Sequence, residues 1–70
     1  MPGPYRVVDL RDETAAEYIV PRAASVEQAA DKALGLKLQR SGRPPDLVAK
    51  VYFSSHWGST TMVRLYSKPA

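Results

Sequence analysis

The chain has 70 residues, of which 44% are hydrophobic and 24% charged, with a net charge of +3 and no cysteine. A chain this short buries only about 60% of its unfolded surface, so we expect one small domain over residues 1–70, with flexible ends at 1–4 and 67–70. The absence of cysteine excludes disulfides, thiolate nucleophiles and Cys-ligated zinc, and it favours the reducing cytoplasm. No apolar run approaches the ~20 residues of a membrane span, so no membrane partner is expected.

The charge is distributed unevenly along the chain. Residues 1–35 carry four basic and six acidic side chains, whereas residues 36–70 carry six basic and one acidic, which gives −2 and +5. If the two halves occupy different faces, the second half forms a positive surface suited to an acidic partner. Solubility alone explains a modest total charge equally well.

Residues 5–11 and 16–20 are predicted to form two strands near the N-terminus, with a turn at 12–14. In the first strand, Val8 and Leu10 point one way and Tyr5 and Val7 the other, so both faces carry apolar side chains. Pro21 either ends the second strand or confines it to an edge of the sheet, because proline cannot donate to a strand ladder.

A helix is expected to follow, starting after Ser25. Ser25 and Gln28 have the spacing of a capping box, in which both side chains satisfy free amide groups of the first turn. Gly35 occupies the position of a left-handed residue that ends a helix. The apolar residues spaced for one helix face are Val26, Ala29, Ala30, Ala33 and Leu34. This stripe is rich in alanine, so the helix can lie close to a sheet.

The next segment contains strong chain breakers. Residues 37–40 either extend the helix or begin a loop, and a loop is favoured from Ser41 because 41–46 combines glycine with two prolines. Residues 43–45 are expected to be extended and exposed.

Residues 47–66 predict a β-hairpin, with strands at 47–54 and 60–66 and a corner at Gly58 and Ser59. The side chains expected to face the helix are Leu47, Ala49, Val51, Phe53, Thr61, Val63 and Leu65. The side chains expected on the opposite face are Val48, Lys50, Tyr52, Met62, Arg64 and Tyr66.

The predicted order is therefore strand, strand, helix, strand, strand. The economical arrangement is an α+β two-layer sandwich of ββαββ order, in which one antiparallel sheet carries the helix on one face and leaves the other face to solvent or a partner. The order of the strands within the sheet does not follow from the sequence.

The segment from Tyr18 to Leu34 is similar to the strand-into-helix unit of the HicB-like antitoxin fold, over about a quarter of the chain. The glycine-rich hairpin that this family has between its first strands is missing here. The resemblance implies a small regulatory protein, of antitoxin, phage or plasmid type, that binds or inhibits a partner.

Few residues are suited to catalysis or metal binding. His56 is the only histidine, and no acid stands at a spacing that would orient it for nucleophilic work. One group of carboxylates comprises Asp9, Asp12, Glu13 and Glu17. Their spacing matches no calcium loop, and a solvated turn explains them. We therefore expect no enzyme, no metal and no cofactor.

Binding is better supported than catalysis. The candidate contact residues are Lys50, Tyr52, Arg64 and Tyr66 on the outer sheet face, flanked by Arg40, Arg43 and Trp57. Aromatic rings stack on bases and cations neutralise phosphates, so this composition is typical of DNA or RNA binding. The same residue types are enriched in protein interfaces, and a protein partner or a homodimer is an equally good interpretation.

Overall fold

The computed structural model describes residues 4–11, 13–54 and 58–68. The elements are β1 (Tyr5–Asp9), β2 (Glu17–Val20), α1 (Val26–Leu34), β3 (Leu38–Gln39), β4 (Leu47–Ser54) and β5 (Thr60–Ser67), with a 3₁₀ turn at Pro44–Asp46. The α+β class, with one antiparallel sheet and one helix, is confirmed. The predicted ββαββ order is wrong by one strand, because β3 makes it ββαβββ.

The five strands form one sheet in the order β2-β1-β4-β5-β3, and every neighbouring pair is antiparallel. β2 and β3 are the two edges of this sheet, although they are consecutive strands of the chain. The helix between them therefore carries the chain across the sheet from one edge to the other.

Helix α1 begins and ends as its capping residues predict. The Ser25 hydroxyl accepts a hydrogen bond from the Gln28 amide at 3.1 Å, and the Gln28 side chain accepts one from the Ala24 amide. At the other end, Gly35 has φ 70° and donates to the Asp31 carbonyl at 2.8 Å. Within the described residues, no helix is long and apolar enough to cross a membrane.

The core lies between this helix and one face of the sheet. Ala29 and Ala30 are fully buried, and so are Val7, Val51 and Leu65 beneath them. Because alanine has a small side chain, the helix backbone can approach the strands closely, at the cost of burying little apolar area.

A β-bulge between Leu47 and Ala49 changes the start of the hairpin. Leu47 lies opposite Tyr66, whereas Ala49 lies opposite Leu65, so one extra residue is inserted in β4. Val48 is buried in the core cluster instead of lying on the outer face. The expected faces of Leu47 and Val48 are therefore wrong, because alternation does not continue through a bulge.

Two further expectations between the helix and the hairpin are corrected. Residues 38–39 form β3 instead of helix or loop: Leu38 pairs with Ser67 of β5 and is 5% exposed. A strand of two residues is too short to show alternation. Pro44–Asp46 forms a 3₁₀ turn instead of extended chain, because the φ of proline also suits the first turn of a helix.

Asp9 is a buried charged residue, and it is 6% exposed. The Arg11 guanidinium donates to both carboxylate oxygens, with Nε at 3.0 Å from Oδ1 and Nη2 at 2.9 Å from Oδ2, and the Arg11 amide also donates to Oδ1. These hydrogen bonds hold the pKa of Asp9 below its ordinary value of 3.8, although burial acts in the opposite direction. The ion pair keeps the carboxylate charged at the end of β1.

This arrangement predicts an acid-dependent loss of stability. Because the pKa of Asp9 is lower in the folded state, its stabilisation is complete above the unfolded pKa near 3.8 and is lost as pH falls through the folded pKa. Asp9→Asn should lower the free energy of unfolding by about 1 to 3 kcal/mol at neutral pH. When the free energy of unfolding is measured with urea from about pH 6 to about pH 3, it should decline less steeply for the variant than for the wild type. Equal declines would assign the acid sensitivity to other carboxylates.

Candidate ligand-binding face

The sheet surface opposite α1 is covered by no described helix or further strand, although the loop at Gly42 packs against Tyr66 at one end, and we call it the open face. Its side chains include Arg6, Val8, Glu17, Ile19, Lys50, Tyr52, Met62, Arg64 and Tyr66. Strand register orders them in rows across the sheet. Ile19, Arg6, Tyr52 and Met62 form one row, and Glu17, Val8, Lys50 and Arg64 form the next. The four predicted contact residues of the hairpin therefore share the face that alternation assigned to them.

Lys50 and Arg64 are directly opposite each other on the two central strands β4 and β5. Like charges in this position destabilise a sheet by roughly 0.2 to 1 kcal/mol. Among the described residues, no carboxylate forms an ion pair with either cation. The pair is thus a concentrated positive site with no ion-pair partner in the described part of the chain, and an anionic group placed over it would reduce the repulsion.

Beside this cation pair lies a stacked pair, Arg6 and Tyr52. The Arg6 guanidinium carbon is 4.9 Å from the centre of the Tyr52 ring, and Arg6 Nε is 3.3 Å from Glu17 Oε1. Glu17 therefore holds Arg6 over the aromatic ring at a half-exposed position. The sequence prediction missed Arg6. Alternation in the first strand places it opposite Tyr5 and Val7, but only the pairing of β1 with β4 brings it beside Tyr52.

The open face has a shallow cavity of about 230 Å³ at the end of β4 and β5. It is lined by Pro4, Arg6, Tyr52, Phe53, Ser54 and Thr60. Its lining thus includes the stacked pair and the hydroxyl-bearing residues Ser54 and Thr60.

Tyr66 is the fourth predicted contact residue of the hairpin, and the loop after β3 covers part of its side chain. A Cβ added at Gly42 would lie 2.6 Å from the Cβ of Tyr66 and 2.7 Å from the first ring atom. Only glycine leaves room for this approach. Tyr66 therefore packs against its own chain at this point, and that part of its side chain is not open to a ligand.

Two of the three flanking residues of the prediction, Arg40 and Arg43, form ion pairs within the chain. Arg40 binds Glu27 of the helix, with Nε at 3.0 Å from Oε1, and Arg43 Nε lies 3.6 Å from Asp46 Oδ2. These ion pairs neutralise part of the expected positive track. Trp57, like His56, lies outside the described residues.

The acidic side chains are distributed over different surfaces. Asp9 is turned inward to Arg11, whereas Glu17 binds Arg6 on the open face. Over the part of the chain that the structure describes, no group of three or more potential ligands could hold a metal ion. Asp12 lies outside that part.

No protein-family model matches the chain, and neither a curated protein nor a solved structure is found to match it. The geometry of the open face is therefore the basis for inferring function.

The contact between Gly42 and Tyr66 can be tested by a single methyl group. Gly42→Ala should lower the free energy of unfolding by about 1 to 3 kcal/mol, because the new Cβ collides with atoms at the root of the Tyr66 side chain. Ser41→Ala, at the exposed neighbouring position, should change it by less than about 0.5 kcal/mol. Urea titration measures the free energy of unfolding of both variants. Equal transition midpoints would show that the loop does not pack on Tyr66.

Proposed function

We propose that the protein is a small non-enzymatic binding protein that binds single-stranded nucleic acid through its open face. The observation that carries this proposal is the pair of cations Lys50 and Arg64, which no described carboxylate neutralises and which lies on the open face of the sheet. A phosphate group is the anion that such a pair of donors suits, since it offers several acceptor oxygens to two cations.

The neighbouring row provides the second component of nucleic-acid recognition. Residues 50 and 52 of β4 point to the same face and lie roughly 6.5 to 7 Å apart along the strand. A phosphate at Lys50 and Arg64 would thus lie beside the Arg6 and Tyr52 stack. Both the guanidinium plane and the phenol ring can stack on a base. The cavity next to Tyr52 has room for part of a planar ring.

A single strand fits this surface better than a duplex. The open face is formed by strands, and no described helix projects from it into a groove. A single-stranded ligand can turn its bases toward the sheet, whereas a duplex presents only backbone and groove edges. Sheets that bind single strands combine cations with aromatic residues in this way.

The cation pair predicts the salt dependence of binding. Replacing Lys50 and Arg64 together by glutamine should weaken binding to a labelled single-stranded oligonucleotide roughly tenfold or more at about 0.1 M salt. The slope of log affinity against log salt should fall by about 0.7, because the single phosphate contact at the cation pair is lost. Fluorescence anisotropy over a range of salt concentrations measures both quantities.

A charge-matched control separates local contacts from net charge. Arg22→Gln with Lys32→Gln removes two positive charges near the helix, where the Lys32 ammonium donates to the Arg22 carbonyl. This control should retain most of the affinity and most of the slope. If the two double variants lose affinity equally, or if wild-type protein shows no salt-dependent binding at tens of micromolar, the open face is not a nucleic-acid site.

Stacking on Tyr52 can be tested without changing charge. Tyr52→Ala should weaken oligonucleotide binding by about 1 to 3 kcal/mol, whereas Tyr52→Phe, which keeps the ring, should retain most of the affinity. The salt slope should stay the same in both variants, because no phosphate contact changes. Similar affinities for Tyr52→Ala and Tyr52→Phe would contradict stacking at this position.

A second candidate function is protein interaction or homodimerisation, as for an antitoxin-like, phage or plasmid regulator. The observation that favours it is the exposure of two large apolar side chains on one edge strand, Tyr18 at 42% and Ile19 at 62%. Light scattering over a range of concentrations tests self-association, and a monomer at high concentration would leave only a foreign protein partner.

A further inference from the structure

We propose that two copies of the chain pair antiparallel through the edges of β2, with Tyr18 opposite Tyr18 of the second copy. This pairing would join two five-stranded sheets into one continuous sheet. It deepens the second candidate function and uses the backbone edge of β2, whereas the nucleic-acid proposal rests on Lys50, Tyr52 and Arg64 of β4 and β5. A failure of nucleic-acid binding would therefore leave it standing.

The hydrogen-bond pattern of β2 shows which backbone groups are free. The Asp9 amide donates to the Ala16 carbonyl at 2.8 Å, so Ala16 is in a hydrogen-bonded pair with β1. In an antiparallel ladder such residues alternate, so Tyr18 and Val20 also direct their amide and carbonyl groups toward β1. Glu17 and Ile19 direct theirs away from it. Since β2 is the last strand on this side of the sheet, these two residues offer two donors and two acceptors to another strand.

Both ends of this edge are blocked, which limits the possible registers. Ala15, the preceding residue of the outward set, has φ 47° and is not extended. Pro21, the following residue of that set, has no amide hydrogen. A symmetric pairing that uses either of them loses hydrogen bonds. Only the register that places Glu17 opposite Ile19 of the second copy, and Ile19 opposite its Glu17, satisfies all four free groups.

This self-complementarity is the reason to choose a second copy as the partner. The edge and its own twofold image present the same two residues with the same spacing. The side chains agree with this choice. Tyr18 and Ile19 are the exposed large apolar residues of the described chain, and this register covers both of them. Two phenol rings meet at the twofold axis, where cross-strand aromatic pairs stabilise sheets.

The pairing has a consequence for the open face. Strands that are antiparallel in one sheet are related by a twofold axis perpendicular to it, so both helices lie on one side and both open faces on the other. The two Lys50 and Arg64 pairs would then lie on one continuous surface.

Because the chain contains no cysteine, a single introduced cysteine reports the register directly. In the proposed register, Tyr18→Cys places two cysteines in a non-hydrogen-bonded pair, with Cα atoms about 4.5 Å apart, which a disulfide can bridge. Ile19→Cys places them diagonally, about 7 to 8 Å apart, beyond the usual range. Under mild oxidation we expect covalent dimer from Tyr18→Cys and little from Ile19→Cys. The reverse result, or no cross-link from either variant, would overturn the register.

Sedimentation equilibrium from micromolar to millimolar concentration tests association of the unmodified chain. The mass should rise toward that of a dimer with concentration, and Ile19→Lys, which places a charge on the edge, should abolish the rise. Met62→Lys places the same charge on β5, away from the β2 edge, and the mass of this variant should still rise with concentration. A dimer broken by Met62→Lys but not by Ile19→Lys would be a face-to-face dimer and would overturn the proposal. A wild-type monomer at every concentration would overturn it too.

Discussion

The structure depends on the packing of one nine-residue helix against one face of a five-stranded sheet. Such a helix is about 13.5 Å long, whereas five strands span about 19 Å from the first axis to the last. It crosses one face from the β2 edge to the β3 edge, and fully buried Ala29 and Ala30 let it approach the strands closely. With no second helix in the described chain, the opposite face keeps its contact with solvent. The candidate site is that uncovered face.

The open face is not charged uniformly, and its two rows differ in how their cations are satisfied. Arg6 is held between Glu17 and the Tyr52 ring, so its charge is partly compensated within the protein. Lys50 and Arg64 have no such compensation and face each other across β4 and β5. A small domain has little stability to spare, and a repulsive pair at its centre is a cost that an anionic ligand would offset. This contrast is the reason that we propose the cation pair as the binding site.

Local signals predicted the parts of the fold that depend on neighbouring residues. Ser25, Gln28 and Gly35 determine both ends of the helix through hydrogen bonds and one left-handed residue. Alternation assigned Lys50, Tyr52 and Arg64 to one face, because a strand turns successive side chains to opposite sides. The same logic failed at Leu47 and Val48, where a bulge interrupts alternation. Such a bulge leaves no clear mark in the residue pattern.

The sequence by itself determined the helix with its capping residues and the alternation of the long hairpin, since these depend on contacts within a few residues. It also determined the excess of cations in the second half of the chain, which follows from composition alone. Only the tertiary structure decided that β1 pairs with β4, which brings Arg6 to Tyr52. It also decided that Leu38 forms an edge strand and that Gly42 lies against Tyr66. These contacts join segments distant in sequence, and their geometry comes from the packing of the whole sheet, which no local pattern encodes.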